Sequence, residues 1–422
     1  MSTRSRCALF LLCLVQGCER FAFFAMLPLF VLYLQQRHGF TEQGAMLLLG
    51  VFSALSYLGA LPGGMLADRR LGRVGAALLG CALLTLGYGA LALDRSVLLW
   101  PALGLMVAGH GFFKPSVSAL VGGLFQAAAA RRERGFLAVH FAINVGATVG
   151  PLCGDWSRAR SGWATIFLWA TAGTFLAAFT LALAWRLLSE PEDRSLIGTL
   201  EPASRHTERE RWNAIKLLCW VAAVLYLTAQ QAGSSLAVFA ETHTQQRVVI
   251  WGRAWPLGPG PFASLHSVLV LAMLPPLLSL MAWLRRLGAE PSTAAKMIWG
   301  ILFTSAAFAL LTAAALHGGD SGRVSPAWLA GSYALLSLGE LLLAPLGMSL
   351  LTQLAPPQKI SQAVGLWFVS TALGNVLAGV LGLGWGRWPS HLYFGLLATL
   401  TLATAGILLS RWRWLEIGEH ST

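Results

Sequence analysis

Apolar residues occur along this chain in long runs, and charged residues or Gly and Pro separate each run from the next. As helices, runs of about 20 residues span the ~30 Å hydrocarbon core of a bilayer. The pattern predicts twelve membrane helices, at residues 7–34, 43–67, 74–93, 97–126, 135–154, 162–187, 213–240, 264–284, 295–316, 326–354, 361–384 and 391–410. The chain is therefore expected to be an all-α polytopic membrane protein.

The longest polar stretch, Ser189 to Arg211, mixes both charge signs, contains prolines and shows no apolar periodicity. Such a stretch is typical of a linker, here a cytoplasmic one. We expect a first six-helix bundle at residues 1–188, the linker at 189–211 and a second six-helix bundle at 212–422. Paired halves with a substrate site near the midplane between them are the architecture of alternating-access carriers.

Composition and charge support a membrane protein. The chain is 56% hydrophobic and 11% charged, whereas about a quarter of the residues of a soluble domain are charged. Its net charge of +12 does not indicate a nucleic-acid partner, because the basic residues lie in loop after loop and form no single patch. With the N-terminus inside, twenty Lys and Arg residues fall on inner segments and eight on outer loops. The positive-inside rule therefore supports twelve helices with both termini cytoplasmic. We expect a multi-pass protein of the plasma membrane.

Two adjacent charges, Glu19 and Arg20, interrupt the first apolar run. A charge at bilayer depth costs about 2.5 to 3.5 kcal/mol on insertion scales, so such residues usually face a polar cavity inside a helix bundle. A buried ion pair that only locks helices together is the alternative. Away from the helix ends, the other charges within the predicted spans are Lys114 and Glu340.

The segment after the second helix resembles the signature that the major facilitator superfamily carries at this position. Its residues are Gly64, Asp68, Arg69, Gly72 and Arg73. A Gly lets neighbouring helices approach, and an acid at a helix C-terminus is tolerated beside adjacent arginines. A merely basic loop would account for the arginines but not for the placed Gly64 and Asp68.

Several short motifs resemble, in order and spacing, those of the proton-dependent oligopeptide transporters, a family within that superfamily. The motifs are Glu19-Arg20-Phe21, Gly111-Phe112-Phe113-Lys114-Pro115, Ile143-Asn144-Val145-Gly146-Ala147, Gln231-Ala232-Gly233-Ser234-Ser235-Leu236, Gly339-Glu340 with Pro345 and Gly347, and Gly365-Leu366-Trp367-Phe368. Members of the family take up di- and tripeptides with protons through a major facilitator fold. The resemblance implies this fold and activity here, with Tyr57, Asn144, Ser234 and Trp367 lining the substrate cavity. Ordinary helix packing explains each of these four neutral residues equally well.

The charges within the spans suit a zwitterionic substrate, because a short peptide has a carboxylate at one end and an ammonium at the other. Arg20 and Lys114 belong to the first half of the chain and Glu340 to the second. The resemblance implies the same division, with the carboxylate bound by the first half and the amine by the second. Arg binds a carboxylate through two parallel hydrogen bonds, whereas Lys supplies a mobile point charge.

Some positions depart from the family pattern. Gln16, Leu27 and Gln230 stand where the family has, respectively, a Glu, an Arg and the proton-carrying Glu of the seventh helix. The last two form an ion pair in the family, and the loss of both leaves no unpaired buried charge. We therefore expect another interaction to replace that pair. Two family tyrosines become Phe23 and Phe24, and the family's Asn-Pro of the eighth helix becomes His266-Ser267, which leaves Gln230 and His266 as candidate cavity residues.

Proton coupling then needs another group that gains and loses a proton during the cycle. Glu19 can do so, and His110, His140 and His266 lie in or at predicted spans. His110 precedes Lys114 by four residues, so the two share a helix face. We take Glu19 and His110 as the candidates for coupling, although a single intramembrane His is more often a hydrogen-bonded packing residue.

The leading hypothesis is a proton-coupled carrier of di- and tripeptides or peptide-like zwitterions. The alternatives are an uncoupled facilitator or exporter of another small metabolite on the same scaffold, and a membrane receptor that binds but does not transport. An enzyme is not expected, because the sequence shows no nucleophile and base pair, metal cluster or phosphate loop. The six cysteines have neither metal nor disulfide spacing, so no metal and no cofactor is predicted.

Overall fold

The structure is a computed structural model that describes residues 3–123, 129–188, 208–250, 253–318, 322–355, 360–412 and 415. Nearly all of these residues are helical, as predicted. Eleven segments within the described ranges are long and apolar enough to cross a membrane. The chain is therefore a multi-pass membrane protein. Of the predicted linker, residues 189–207 lie outside the described residues.

The described residues form sixteen α-helices, and each predicted span coincides with one helix or with consecutive ones. In chain order they are α1 Thr3–Met26, α2 Phe30–His38, α3 Glu42–Leu58, α4 Ala60–Leu66, α5 Gly72–Ala92, α6 Leu99–Gly123, α7 Ala129–Ser161, α8 Trp163–Leu183, α9 Trp185–Leu188, α10 Glu208–Ala229, α11 Ser235–Thr242, α12 Pro259–Arg286, α13 Thr293–Gly318, α14 Pro326–Leu354, α15 Ile360–Gly382 and α16 Ser390–Arg411. The predicted span at 326–354 has the same bounds as α14.

Several spans predicted as continuous are broken. A 3-10 turn at Leu27–Leu29 separates α1 from α2. Pro28 explains this break, because proline lacks a backbone N–H and its ring clashes with the preceding helical turn. Another 3-10 turn, Gln230–Gly233, separates α10 from α11, and the following Ser234 has φ −123° and ψ −101°, outside the helical region. Hydropathy does not detect such breaks, because it averages over windows much longer than these turns.

Helix α7 corresponds to the predicted fifth span but is not one of the eleven apolar segments. It extends past the predicted 135–154 at both ends, from Ala129 to Ser161. Its first turns contain a cluster of Arg residues, and its last turn carries Arg158 and Arg160. The apolar part is therefore shorter than the helix, because charged turns continue it at both ends.

A β-hairpin lies in the segment between α11 and α12, where the hydropathy pattern predicted a loop. Strand β1, Arg247–Ile250, pairs antiparallel with β2, Arg253–Pro256. Arg247 is opposite Pro256, and Ile250 is opposite Arg253. Helix spans were predicted from apolar runs alone, and a hairpin this short contributes too few apolar residues to that pattern.

The described residues form two compact units that interleave in sequence. The first takes residues from Met1–Thr41, Leu55–Gly198 and Pro259–Ser267, and the second from Glu42–Ala54, Thr199–Gly258 and Val268–Thr422. Most of α3, Glu42–Ala54, thus belongs to the second unit, and the first residues of α12 belong to the first unit. The division of the chain at 188 and 212 remains a prediction.

Each unit has its own apolar core. In the first unit, Leu12 of α1, Phe113 of α6 and Leu181 of α8 are buried in one cluster. In the second unit, Leu218 of α10 and Leu351 of α14 belong to another. These cores fix α1 and α6 in one unit and α10, α14 and α15 in the other, and those helices carry most of the candidate site residues.

Candidate functional site

Small residues bring α1 and α7 into backbone contact and fix the helix that carries the first charges. A Cβ atom added to Gly146 of α7 would lie 2.8 Å from the backbone nitrogen of Phe21. One added to Gly150 would lie 2.9 Å from the backbone nitrogen of Ala25. Close-packed interiors do not absorb such overlap without movement of the helices. The orientation of α1, and with it the position of Glu19 and Arg20, therefore depends on these glycines.

Arg20 binds the carboxylate of Glu19, its neighbour in sequence, through two parallel hydrogen bonds. The distances from Nε to Oε2 and from Nη2 to Oε1 are both 2.6 Å. The side chains of Glu19 and Arg20 are 1% and 14% exposed. A bidentate, charge-assisted pair of this kind uses the two donors with which arginine otherwise binds a carboxylate ligand. In this arrangement Glu19 occupies the position that a ligand carboxylate would take on Arg20.

His110 of α6 lies against this ion pair. Its Nδ1 atom is 3.3 Å from Oε1 of Glu19, and its side chain is fully buried. The imidazole also meets the ring of Phe23 edge to face, with centroids 5.3 Å apart. The two residues predicted to take part in proton coupling, Glu19 and His110, are thus in contact with each other.

Lys114, one turn further along α6, has aromatic partners. Its Nζ atom is 4.0 Å from the centroid of the Tyr57 ring and 6.0 Å from that of Phe23. Within the part of the chain that the structure describes, no carboxylate and no hydrogen-bond acceptor contacts this ammonium. An aromatic face attracts a cation but leaves the N–H donors on its other side unused. Lys114 is therefore the cation of this cluster that can accept an anionic ligand without first losing a partner.

Tyr88 of α5 also belongs to this region, and sequence reasoning missed it. Its side chain is fully buried and interacts electrostatically with both Glu19 and Arg20. Its hydroxyl has no hydrogen-bond partner among the described residues. A buried phenol without a partner is costly in a packed interior. No motif marks this residue, and only a Tyr within an apolar run could have drawn attention to it.

Among the described residues, Asn144 of α7 makes its hydrogen bonds within its own helix and not to the charged cluster of Glu19, Arg20, His110 and Lys114. Its amide donates a hydrogen bond to the backbone oxygen of His140 at 3.0 Å, and its nitrogen lies 3.2 Å from Nε2 of the same residue. Only 8% of Asn144 is exposed. His140 and Asn144 share one helix face as predicted, but in this structure they pair with each other.

In the second unit, Gln230 forms a neutral contact at the position where the family carries its proton-binding Glu. Its Nε2 donates a hydrogen bond to Oγ of Ser53 on α3 at 3.0 Å. Ser53 is 5% exposed. Ser234, another predicted cavity residue, donates to the backbone oxygen of Gln230 at 3.0 Å. An uncharged amide and hydroxyl thus occupy this region.

The neighbouring Gln231 is the centre of a buried hydrogen-bond network that sequence reasoning also missed. Its side chain is wholly buried and donates to the backbone oxygen of Leu227 at 3.0 Å. Its Oε1 accepts hydrogen bonds from Ser235 at 2.6 Å and from the hydroxyl of Tyr393 on α16 at 3.0 Å. The adjacent glutamines in an apolar run were the available signal, but the partner on α16 is distant in sequence.

The remaining predicted site residues of the second half lie in different surroundings. Trp367 is 4% exposed and belongs to the apolar core, where a Cβ atom added to Gly347 would lie 2.6 Å from its ring. Glu340 is half-buried on α14, next to Gly339, whose added Cβ would lie 2.8 Å from the backbone oxygen of Gly300. His266 is half-buried on α12. Their roles in binding remain predictions.

The predicted loop motif begins at Gly64 within α4, continues through a π-helical turn, Ala67–Leu71, and ends at Arg73 in α5. Gly72 ends this turn with φ +67° and ψ 159°, a conformation that favours glycine. Gly64 faces Pro115 of α6, to which an added Cβ would come within 3.4 Å. Arg69 is exposed and Arg73 half-buried. The side chain of Asp68 lies outside the described part of the structure.

Glu290 lies between two membrane-spanning segments and forms an ion-pair cluster that links α12 to α13. Glu290 accepts hydrogen bonds from Arg285 Nε and from Lys296 Nζ, each at 2.6 Å. The hydrogen bonds from Arg285 and then Lys296 lower the pKa of the Glu290 carboxyl to about 2. This cluster tethers α12 to α13 at one end of each helix.

Cysteine and metal chemistry have no centre in the described residues. All six cysteines are free thiols, from exposed Cys7 to buried Cys81. The described ranges contain no group of three or more His, Cys, Asp or Glu side chains that could hold a metal ion.

Comparison with known proteins gives consistent matches. The model of a family described as the POT family matches residues 74–199 and 201–382. Peptide transporter YePEPT of Yersinia enterocolitica is 29% identical, with 86% of this chain and 85% of that protein covered. A di-/tripeptide transporter of Lactococcus lactis is 26% identical, with 85% of each chain covered.

Solved structures are similar over nearly the whole length. A variant of a peptide transporter POT in complex with alafosfalin has a TM-score of 0.87 and 26% identity, and covers 97% of this chain and 95% of its own. A POT family transporter in complex with 5-aminolevulinic acid has a TM-score of 0.85 and 24% identity, with 95% of each chain covered. These likenesses confirm the fold class that was predicted from the apolar runs.

Proposed function

Because the chain belongs to the POT family and has its major facilitator fold, we propose that it carries di- and tripeptides or peptide-like zwitterions across the membrane. One observation carries this proposal. The ammonium of Lys114 faces only aromatic rings among its described partners, so it can bind an anion without giving up an ion pair. The curated relatives include peptide transporters, and a related transporter was solved with the zwitterion 5-aminolevulinic acid.

In the proposed binding mode, the substrate carboxylate meets Lys114 first. Arg20 is held by Glu19 in this structure and becomes available only when that pair opens. The substrate ammonium binds Glu340, the acid within the spans of the second half. Such a division matches the two ends of a zwitterion with opposite charges and provides specificity through electrostatic complementarity.

We further propose that a proton opens the pair between Glu19 and Arg20. A protonated Glu19 keeps little attraction for Arg20, so both cations turn to the substrate carboxylate. His110, 3.3 Å from Glu19, is the adjacent group that receives or supplies the proton. Loss of the proton restores the pair and weakens the hold on the substrate. This exchange of partners gives the two states of an alternating-access cycle different affinities for the substrate, as a ligand-driven shift requires.

The neutral contact of Gln230 with Ser53 supports this placement of coupling. An amide cannot take up a proton at physiological pH. Gln230, in the turn between α10 and α11, therefore provides no titratable group at this position. The same contact favours the second candidate function, an uncoupled facilitator or exporter on the same scaffold. If no group of the transport path titrates, substrate moves only down its own gradient.

Uptake into proteoliposomes tests the proposal and separates the candidates. Purified protein would be reconstituted, and labelled dialanine and its C-terminal amide offered with and without an imposed pH gradient. We expect dialanine to accumulate above its external concentration only with the gradient, and the amide to be taken up poorly. Equilibration without accumulation would indicate a facilitator. Binding without any uptake would indicate a receptor and contradict the proposal. Liposomes without protein and a protonophore are the controls.

The proposed orientation places both termini in the cytoplasm and rests on the distribution of Lys and Arg. In this orientation, α7 crosses the membrane and the ion-pair cluster of Glu290 lies on its cytoplasmic side. Labelling of an introduced Cys at Gln245 with an impermeant maleimide should occur from outside intact cells. Labelling of that position only after permeabilisation would contradict the orientation.

A further inference from the structure

The ring of Phe23 lies close to three members of the charged cluster, Arg20, Lys114 and His110. Its centroid is 5.0 Å from Cζ of Arg20 and 6.0 Å from Nζ of Lys114. It also meets the imidazole of His110 edge to face at 5.3 Å and the ring of Phe24 at 5.4 Å. One apolar side chain thus lies next to both cations of the first half and next to a proposed proton carrier.

The uneven charge of an aromatic ring determines which part of it attracts the two cations. A ring face is negative and its edge positive, so it attracts cations placed over the face. Both Arg20 and Lys114 lie within the range of this attraction. Tyr57 adds a second face to Lys114 at 4.0 Å. The ammonium is therefore held by two rings, which neutralise no charge and leave the N–H donors that point away from them unused.

Phe23 has no hydroxyl, so its side chain adds no hydrogen-bond donor or acceptor next to the two cations. A phenol at this place could accept a hydrogen bond from Lys114 or donate one to Glu19, and either bond would compete with the exchange of partners proposed above. Phenylalanine keeps the attraction of the ring face and adds no competing group. The side chain thus fixes where the cations lie but leaves their donors to a carboxylate.

We propose that Phe23 is a positioning residue of the carboxylate subsite, whose ring face holds Lys114 and Arg20 with their N–H donors directed to the substrate carboxylate. This inference rests on the proposed function, because it concerns the substrate of that same site. Phe23 acts through the two cations and has no polar contact of its own with the ligand. Its contribution is expected only for ligands with a free carboxylate.

A series of fluorinated phenylalanines at position 23 tests the role of the ring. Fluorine withdraws charge from the ring face with little change in shape, so mono-, di- and trifluorophenylalanine weaken cation binding stepwise. Each form would be introduced by nonsense suppression into the full-length protein. Binding of dialanine and of its C-terminal amide would be measured by calorimetry on the purified protein. The same series at Phe24, which meets the ring of Phe23 but has no cation over its ring within the described ranges, is the matched control.

We expect the affinity for dialanine to fall steadily along the series, by about fivefold to tenfold for the trifluoro form. Affinity for the amide should stay within about twofold, and the series at Phe24 should be flat. Equal losses for both ligands, or no loss at all for dialanine, would overturn the inference while leaving the proposed function intact. If the unmodified protein binds neither ligand, the proposed function and this inference both fail.

Two ordinary substitutions provide a second measurement. Phe23→Leu keeps an apolar side chain but removes the ring face, and Phe23→Trp restores a face with stronger attraction for cations. Leu should raise the KM for dialanine uptake with little change in kcat, and Trp should restore it in part. A Leu variant that folds and keeps the KM of the unmodified protein would contradict the proposed role.

Discussion

The two units place their buried polar groups in different kinds of network. In the first unit, Glu19, Arg20, His110 and Lys114 carry or can carry charge, and Lys114 has no acidic partner among the described residues. In the second unit, the network around Gln231 is neutral. Polar networks with every group satisfied stiffen a core, whereas ion pairs can exchange partners when one member gains a proton or a ligand. Under the proposed function, the charged network of the first unit exchanges partners during transport, and the neutral network of the second unit stays fixed.

Close backbone packing in the second unit supports the same contrast between the two units. Gly50 of α3 lies so close to α15 that an added Cβ would be 2.5 Å from the backbone oxygen of Asn375. Both Gly50 and Asn375 belong to the second unit, together with the Gln230 to Ser53 hydrogen bond. Backbone contact and neutral hydrogen bonds fix this region without charge. Substitutions in the charged network should therefore affect transport most, and substitutions in the neutral network should affect stability most.

The largest effect is expected at Lys114. Lys114→Ala removes the cation that is available to the substrate carboxylate, and loss of one member of a buried charge pair costs about 2 to 5 kcal/mol. Uptake of dialanine into proteoliposomes should fall by about 100-fold or more. Lys216→Ala, at an exposed position on α10, is the matched control and should transport normally. Unchanged dialanine affinity in the Lys114 variant would contradict the assignment.

The next largest effect, a loss of ligand affinity, is expected at Glu340. Glu340→Gln leaves a neutral amide opposite the substrate ammonium, and a hydrogen bond to a charged group is worth about 1.5 to 3 kcal/mol. Affinity for dialanine should fall by about tenfold to 100-fold, whereas affinity for N-acetyl-alanyl-alanine should hardly change. A competition assay with both ligands measures the difference. Equal losses would show that Glu340 does not bind the amine.

The neutral network should affect stability more than transport. Gln231→Leu leaves the buried hydroxyls of Ser235 and Tyr393 without their acceptor, at a cost of about 2 kcal/mol. The melting temperature in detergent should drop, but the dependence of the remaining uptake on the pH gradient should not change. Gln245→Leu, at an exposed position after α11, is the control. A lost pH response in the Gln231 variant would break the proposed division between the units.

The smallest effect concerns Glu290. Because its folded pKa of about 2 lies below the ordinary value of about 4.3, its ion pairs add stability at neutral pH. That contribution is lost as the pH falls from about 4.5 towards 2. Glu290→Gln should lower the melting temperature slightly at pH 7, consistent with at most about 1 kcal/mol for an exposed pair. The difference between variant and unmodified protein should shrink below pH 4. A constant difference would show that the pairs contribute nothing.

Much of the fold could be predicted from the sequence, because apolar runs of membrane-spanning length leave the backbone few alternatives to helices. All twelve predicted spans coincide with helices, and α14 has the predicted bounds. The turn at Gln230–Gly233 and the hairpin at Arg247–Pro256 were missed, because hydropathy averages over such short features. The interleaving of the two units also has no signature in the order of the helices.

The site was predictable in its charges but not in its contacts. Glu19, Arg20 and Lys114 stand out because charges at bilayer depth need a reason. The bidentate hold of Glu19 on Arg20 was not foreseen, since adjacent residues on a helix do not normally face each other. The place of the Phe23 ring beside both Arg20 and Lys114 depends on how α1 and α6 pack. No local sequence pattern predicts that packing. The roles of Tyr57, Ser234, His266 and Trp367 in binding remain predictions.

The central claim is that a proton on Glu19 exchanges the partners of Arg20, and Glu19→Gln tests it most directly. Glutamine keeps the shape of the side chain but cannot gain or lose a proton. Counterflow of labelled dialanine, which needs no net proton movement, would be compared with uphill uptake driven by a pH gradient, with Glu290→Gln as the control. The account predicts that the Glu19 variant retains counterflow and loses uphill uptake. A Glu19 variant that still concentrates dialanine under the gradient would contradict it.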